Sequence, residues 1–154
     1  MSVPVVYDTM VFLQAATSAN RIHATMQAIK NGRVTLCISL DLLAEVRDVL
    51  NRDGVRRKFP ALSAESVDFF IEDILQSGTM FDPVHRTFGW PQHTDDDHIF
   101  NLAIHAKAKY LVTWENRILK LPKQTTPAAD LLRKLAPALE IITPKQLADA
   151  IRIP

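Results

Sequence analysis

Residues 95–119 read DDDHIFNLAIHAKAKYLVTWENRIL. Apolar side chains fall at Ile99, Leu102, Ala103 and Ala106, the i, i+3, i+4, i+7 spacing of one face of an α-helix. The period then breaks, and KYLVT at 109–113 is a short apolar run without alternation, as in a strand covered on both faces. A helix feeding such a strand is half of a parallel β-α-β unit, because parallel strands need a crossover to bring the chain back. The helix begins at Asp95–Asp97 and the strand ends just before Glu115, so the acids at the two ends of this stretch are expected at the same edge of a sheet.

The pattern repeats outward. VPVVY (3–7) and VTLCI (34–38) are further short buried strands, TMFDPV (79–84) is a candidate strand, and EIIT (140–143) is expected to be the last. A mostly helical stretch is expected from residue 9 to about Lys30, closed by the turn NGR at 31–33. Ser39 reads as the N-cap of a helix running to about Asn51, and Ser63 as the cap of another ending at Gln76. Thr126 followed by Pro127 starts a helix to Leu135, and PKQLADAI (144–151) forms a short final one. Strands alternating with helices predict a single α/β domain over 1–154, a three-layer α/β/α sandwich around a mainly parallel central sheet.

At 154 residues the chain is long enough for a full hydrophobic core, and 47 % hydrophobic with 23 % charged residues is ordinary for a soluble globular domain. A net charge of +1 neither favours nor excludes a nucleic-acid partner. The single cysteine, Cys37, lies in an apolar run and reads as a buried structural thiol, with no partner for a disulfide or a zinc framework. No segment approaches the ~20 apolar residues of a membrane span, and MSVPVVYD has no basic region followed by a long apolar run, so a cytoplasmic location is the expectation.

In open parallel sheets, ligands gather at the carboxyl ends of the strands. Asp8 follows the first strand, Glu45 lies one turn into the helix after the second, Asp95–Asp97 start the helix before KYLVT, and Glu115 comes just past that strand. Each acid has a plainer use. Asp8 suits an N-cap, Asp95–Asp97 a helix N-terminus, and Glu115 a cap or salt bridge. Glu45 borders the stripe Leu42, Leu43, Val46, Val49, Leu50 and is expected half-buried. Gathering four like charges at one edge is costly unless cations compensate them.

These segments resemble the PIN-domain family, and most closely the toxin components of bacterial toxin–antitoxin pairs. VVYDTMVFLQA resembles the family's opening strand and first acid, ISLDLLAEVRDVL its second acidic helix, and residues 95–119 its third acid, strand, Thr and fourth acid. The ordered match runs from residue 3 to about 147. The resemblance implies an acidic core of Asp8, Glu45, Asp97 and Glu115, with Asp97 favoured over Asp96 by counting back from Thr113. Asp8, Asp97 and Glu115, helped by Asp95, would bind Mg²⁺ or Mn²⁺. Thr9, Thr113, Arg117 and Lys120 are the substrate-binding candidates. Met10 stands where the family usually has Asn, His93-Thr94 where Asp-Pro is frequent, and Glu115 where Asp or Asn is common.

HTDDDH (93–98) also resembles the HxHxDH element of zinc-dependent metallo-β-lactamase-type hydrolases, with Asp95 at the second histidine. That chemistry needs later histidines, and none of His23, His85, His93, His98 and His105 has a successor beyond 105. His98 and His105 read as solvated residues on the polar side of their helix. A phosphoacceptor receiver fits poorly, because Asp8 stands without an acidic neighbour. An oxygen-rich donor set suits Mg²⁺ or Mn²⁺ instead. The expectation is a metal-dependent ribonuclease, with a non-catalytic RNA- or protein-binding module as the alternative. Lys107, Arg117 and Lys120 would hold phosphates, and Trp114 would either stack on a base or pack under its loop. The resemblance further implies a homodimer and a small antitoxin partner.

Overall fold

The computed structural model describes residues 2–18 and 23–152. Its sheet contains β1 (Val3–Tyr7), β2 (Val34–Ile38), β3 (Thr79–Met80), β4 (Tyr110–Val112) and β5 (Glu140–Ile142). The order across the sheet is β3-β2-β1-β4-β5, and every neighbouring pair is parallel. The helices between them are α1 (Thr9–Ala16) and α2 (Ala24–Lys30), then α3 (Leu40–Leu50), α4 (Asp53–Lys58) and α5 (Ala64–Ser77). α6 (Asp97–His105), α7 (Asn116–Lys120), α8 (Pro127–Leu135) and α9 (Pro144–Ala150) follow. This is the α/β sandwich that the alternation of strands and helices predicts.

The central strands show why their sequences lack alternation. Val5, Val6, Tyr7, Leu111 and Val112 are all fully buried, because helices cover both faces of the sheet. Tyr7 keeps its hydroxyl satisfied by donating to the Thr25 carbonyl at 2.8 Å. Cys37 is buried in β2, and burial pushes its thiol up to about 11, which makes it an inert packing residue. The edges are blunt: β3 is only two residues long, and β5 opens on the exposed Glu140.

Helix starts follow local chemistry. Ser39, Ser63, Thr126 and Thr143 each accept a backbone N–H of their own first turn, and Ser63 and Thr143 complete capping boxes with Ser66 and Gln146. Some expectations need correction. The helical stretch expected up to Lys30 is two helices, and its part at 19–22 lies outside the described residues. The strand expected over 79–84 pairs only through Thr79–Met80 and one further bond, Phe81 N–H to the Ile38 carbonyl at 2.8 Å. The helix expected from Asp95 begins at Asp97; Pro91–Asp96 form a 3₁₀ segment, kinked at His93, with Pro91 in its first turn. Helices α4 and α7 were not expected, being six and five residues long and too short to show a period.

The chain moves from β1 outward to β2 and β3, then crosses back to place β4 on the other side of β1. The β1/β4 boundary is therefore the topological switch point, where connections leave in opposite directions and a crevice opens at the strand ends. Tyr7 is in register with Val112, so Asp8 and Thr113 emerge side by side.

Candidate active site

Asp8 is built into that boundary. Its N–H donates to the Val112 carbonyl at 3.0 Å, which ties the ends of β1 and β4 together. Its Oδ1 caps α1 by accepting the Met10 N–H at 2.8 Å, and its Oδ2 accepts the hydroxyl of Thr113. The capping use and the site use thus belong to the same carboxylate, one oxygen each. Asp8 is 5 % exposed, and burial raises its pKa above the ordinary range. The Thr113 and Met10 bonds pull it back, while the charges of Glu115 and Asp96 push it further up. Thr113, fully buried, also accepts the Glu115 N–H at 3.0 Å, so one hydroxyl orients both the first acid and the loop of the fourth.

Of the three consecutive aspartates, Asp96 is the one whose charge acts on Asp8 and is acted on by Glu45. Its pKa is raised, first by burial, and Arg117 offsets part of that rise. Asp97 does something else. Its Oδ1 accepts the Trp90 N–H at 2.9 Å, which anchors the loop ahead of α6. Asp97, the acid favoured from sequence, also lines the cleft that holds Glu45 and His98, so both aspartates stand at the acidic edge, with different partners. Asp95 is exposed, on the wall of a cleft of about 940 Å³ that runs from α3 past Glu45 and His98.

Glu45 reaches the edge from α3 and is half-buried. Its Oε2 accepts the Thr9 hydroxyl at 2.7 Å and lies 2.6 Å from His98 Nε2. The His98 hydrogen bond is the main cause of its lowered pKa, with Thr9 assisting and burial opposing. Thr9, a substrate-binding candidate from sequence, therefore faces an acid. His98 is not on a solvated face either: its side chain is 19 % exposed and its Nδ1 is buried without a hydrogen-bond partner. His105 packs against Phe81 and His85, with ring centroids 5.9 and 4.8 Å away. The partners of both histidines lie on other elements, which a helical wheel does not show.

The basic candidates divide. Arg117 forks onto Asp96 and also reaches Glu115. Lys120 is exposed at the end of α7. Lys107 lies in the turn after α6, and because α6 begins at the acids, its nine residues carry that turn about 13 Å away, to the opposite edge of the sheet. Trp114 is 45 % exposed, with its indole N–H donating to Gln14 Oε1 at 2.7 Å. Met10 is 40 % exposed. Sequence reasoning missed Asn101, which is 3 % exposed on α6. Its Oδ1 accepts the N–H groups of Thr87 and Phe88 at 2.9 and 2.8 Å, and its Nδ2 donates to the Phe88 carbonyl at 3.0 Å. On the 95–106 wheel Asn101 falls opposite the stripe of Ile99, Leu102, Ala103 and Ala106, so the sequence pattern carried no signal of its burial.

Four segments thus bring Asp8, Glu45, Asp96 and Glu115 to the switch point. As the side chains stand, no three His, Cys, Asp or Glu groups among the described residues are gathered tightly enough to ligate one ion. The donor chemistry still fits a hard divalent cation: these acids are all-oxygen donors, and the mutual repulsion acting on Asp8 is of the kind a cation relieves. Glu115 is 38 % exposed, leaving it room to rotate toward Asp8 and Asp96. A family model described as PIN domain matches residues 4–117, a span that holds all four acids together with Thr9, His98, Thr113 and Arg117. No curated protein matches the chain.

Proposed function

The chain belongs to the PIN-domain family, matched over about three quarters of its length, and from that premise we propose that it is a Mg²⁺- or Mn²⁺-dependent endoribonuclease, the toxin of a toxin–antitoxin pair. Proteins of this family are generally nucleases and generally use divalent metal ions. The observation that carries the reading is the convergence of Asp8, Glu45, Asp96 and Glu115 at the β1/β4 switch point, two of them with pKa values raised by burial.

The roles follow from how each group is held. Asp8 is fixed by Met10 and Thr113, so its carboxylate presents one orientation. Asp96 and Glu115 approach from the other side of the switch point, and with Asp8 they form the cation-holding set. When bound, a divalent cation lowers the pKa of water and stabilises charge on the phosphodiester oxygens. Glu45, held ionised by His98 and Thr9, accepts a proton poorly and serves to orient water or ligand. A carboxylate of this edge that is not holding the cation would take the proton of the attacking water. Lys120 and the half-exposed ring of Trp114 flank this edge, where a phosphate and an unpaired base would lie.

Resemblance to toxin components supports the rest of the reading: a cytoplasmic homodimer acting on single-stranded or structured RNA, blocked by a small antitoxin. The test of the activity is cleavage of labelled single-stranded RNA with Mn²⁺ or Mg²⁺ added to chelator-stripped protein, with Asp8→Asn as the inactive control. Mn²⁺ should also raise the melting temperature, because an ion that binds only the folded chain stabilises it. RNA that is bound in a salt-dependent way but left intact with both metals would establish the non-catalytic alternative.

A further inference from the structure

Arg117 is the second residue of α7 and stands between two acids that come from different segments. Its Nε–H donates to Asp96 Oδ2 at 3.1 Å and its Nη2 to Asp96 Oδ1 at 3.2 Å, a fork that uses both oxygens. Its Nη1 donates to Glu115 Oε2 at 2.9 Å. One guanidinium thus spans the carboxylates that the ribonuclease reading assigns to a cation. Asp96 is 14 % exposed and Arg117 40 %, so the arginine lies on the solvent side of the acid it covers.

We propose that Arg117 is an internal stand-in for the metal, bridging Asp96 and Glu115 until a divalent ion displaces it, and that the released guanidinium then binds an RNA phosphate. This rests on the ribonuclease reading and goes beyond it by assigning an order, metal before RNA, and a reason for that order. The guanidinium bonds both Asp96 oxygens and Glu115 Oε2 and lays its positive charge between the two carboxylates, where a cation would sit, so the two occupants compete. A guanidinium is not deprotonated at any ordinary pH, so competition, rather than titration, is what frees it. The competition favours the ion, which carries twice the charge and sits about 1 Å closer to its oxygens than a hydrogen-bonded nitrogen does. Partial exposure makes the ion pair weak and its displacement easy. While it lasts, the bridge offsets the repulsion of Glu115 and Asp96 on Asp8. Once free, the planar fork matches a phosphate as well as it matched the carboxylate.

The experiment compares chelator-stripped wild type, Arg117→Gln and Arg117→Lys. Mn²⁺ is titrated into each by calorimetry, and the anisotropy of a fluorescent single-stranded RNA is followed across a salt series, read before cleavage sets in. Arg117→Gln should bind Mn²⁺ about two- to tenfold more tightly than wild type, the range that one or two partly exposed ion pairs are worth. Arg117→Lys should fall between, keeping the charge but losing the fork. In Mn²⁺ the salt slope of RNA binding should be steeper for wild type than for Arg117→Gln by about one phosphate contact; in chelator the slopes should coincide. Unchanged or weaker Mn²⁺ binding by Arg117→Gln, with wild-type binding intact, overturns the proposal alone, because Arg117 would then be shaping the carboxylates for the ion. No Mn²⁺ binding by any of the three overturns the ribonuclease reading and this proposal with it.

Discussion

Asp96 and Asp97 are adjacent in the chain and serve different ends, and one pair of substitutions separates them. Asp97→Ala removes the acceptor of the Trp90 N–H, a 2.9 Å bond. Trp90 is 6 % exposed, and an amide there without a partner costs about 1–3 kcal/mol. Losing a carboxylate from the first residue of α6 adds about 0.3–1 kcal/mol through the helix dipole. For a domain of this size each kcal/mol lowers Tm by ~2–4 °C, so a drop of roughly 4–12 °C is expected. Activity measured well below that Tm should be largely kept. Asp96→Asn keeps the shape and removes a charge that neighbouring acids disfavour, while weakening the fork from Arg117. These effects oppose each other, so stability in chelator should stay within about 1 kcal/mol of the parent. Cleavage should fall by more than the roughly 10–100-fold that loss of a group outside the metal's own ligands costs. Melting curves in chelator and initial rates on a fluorescent RNA, both at fixed salt, make the comparison. An unshifted, inactive Asp97→Ala beside an active Asp96→Asn would refute the assignment of these two residues.

Other outcomes follow from single contacts. Thr113→Val keeps the volume but removes the hydroxyl that serves Asp8 and the Glu115 N–H. It should cost about 1–3 kcal/mol in denaturant melts and lower the cleavage rate; an unchanged melt would mean that water replaces the hydroxyl. His98→Ala removes the main bond holding Glu45 and should lower the cleavage rate with Mn²⁺ affinity in calorimetry little changed, and His98→Gln, which retains a donor, should restore part of the rate; clearly weaker Mn²⁺ binding by His98→Ala would instead place Glu45 among the metal's ligands. Asp8 sets a pH dependence. Below about pH 4 it is protonated whether folded or unfolded, and burial costs nothing. As pH rises through its raised folded pKa, the folded chain must ionise a buried carboxyl and loses stability. Asp8→Asn should therefore gain on wild type in melts as pH climbs from about 4 toward neutrality; a gap moving the other way would show the Thr113 and Met10 bonds outweighing burial.

The fold was legible where one signal dictated one outcome. Ser39, Ser63 and Thr126 announce helix starts because their side chains satisfy backbone N–H groups that nothing else reaches. VPVVY, VTLCI and KYLVT announce doubly covered strands because both of their faces are apolar. Helices α4 and α7 gave no such signal. The sequence DGVRRK buries none of its residues, and NRILK buries only Ile118. Strand order also lies beyond a pattern of local periods. Placing β4 beside β1 depends on pairs such as Tyr7 with Val112, more than a hundred residues apart.

The edge that holds the acids was legible for a related reason: an acid directly after a buried strand must surface at the strand's carboxyl end, whatever the rest of the chain does. What each charged group faces there is a tertiary matter. HTDDDH offers three aspartates, and what tells Asp96 from Asp97 is a partner on another segment, Arg117 for the first and the Trp90 N–H for the second. Arg117 makes the point most sharply. A basic residue two positions past an acid reads as a phosphate contact when the partner is imagined to be RNA. In the folded chain the nearest anions are its own, and the guanidinium goes to them because forked bonds at about 3 Å to two carboxylates need no second molecule. A cationic side chain at an acidic site is therefore first a competitor for the site's cation. It becomes a substrate contact only when something more highly charged takes the acids from it.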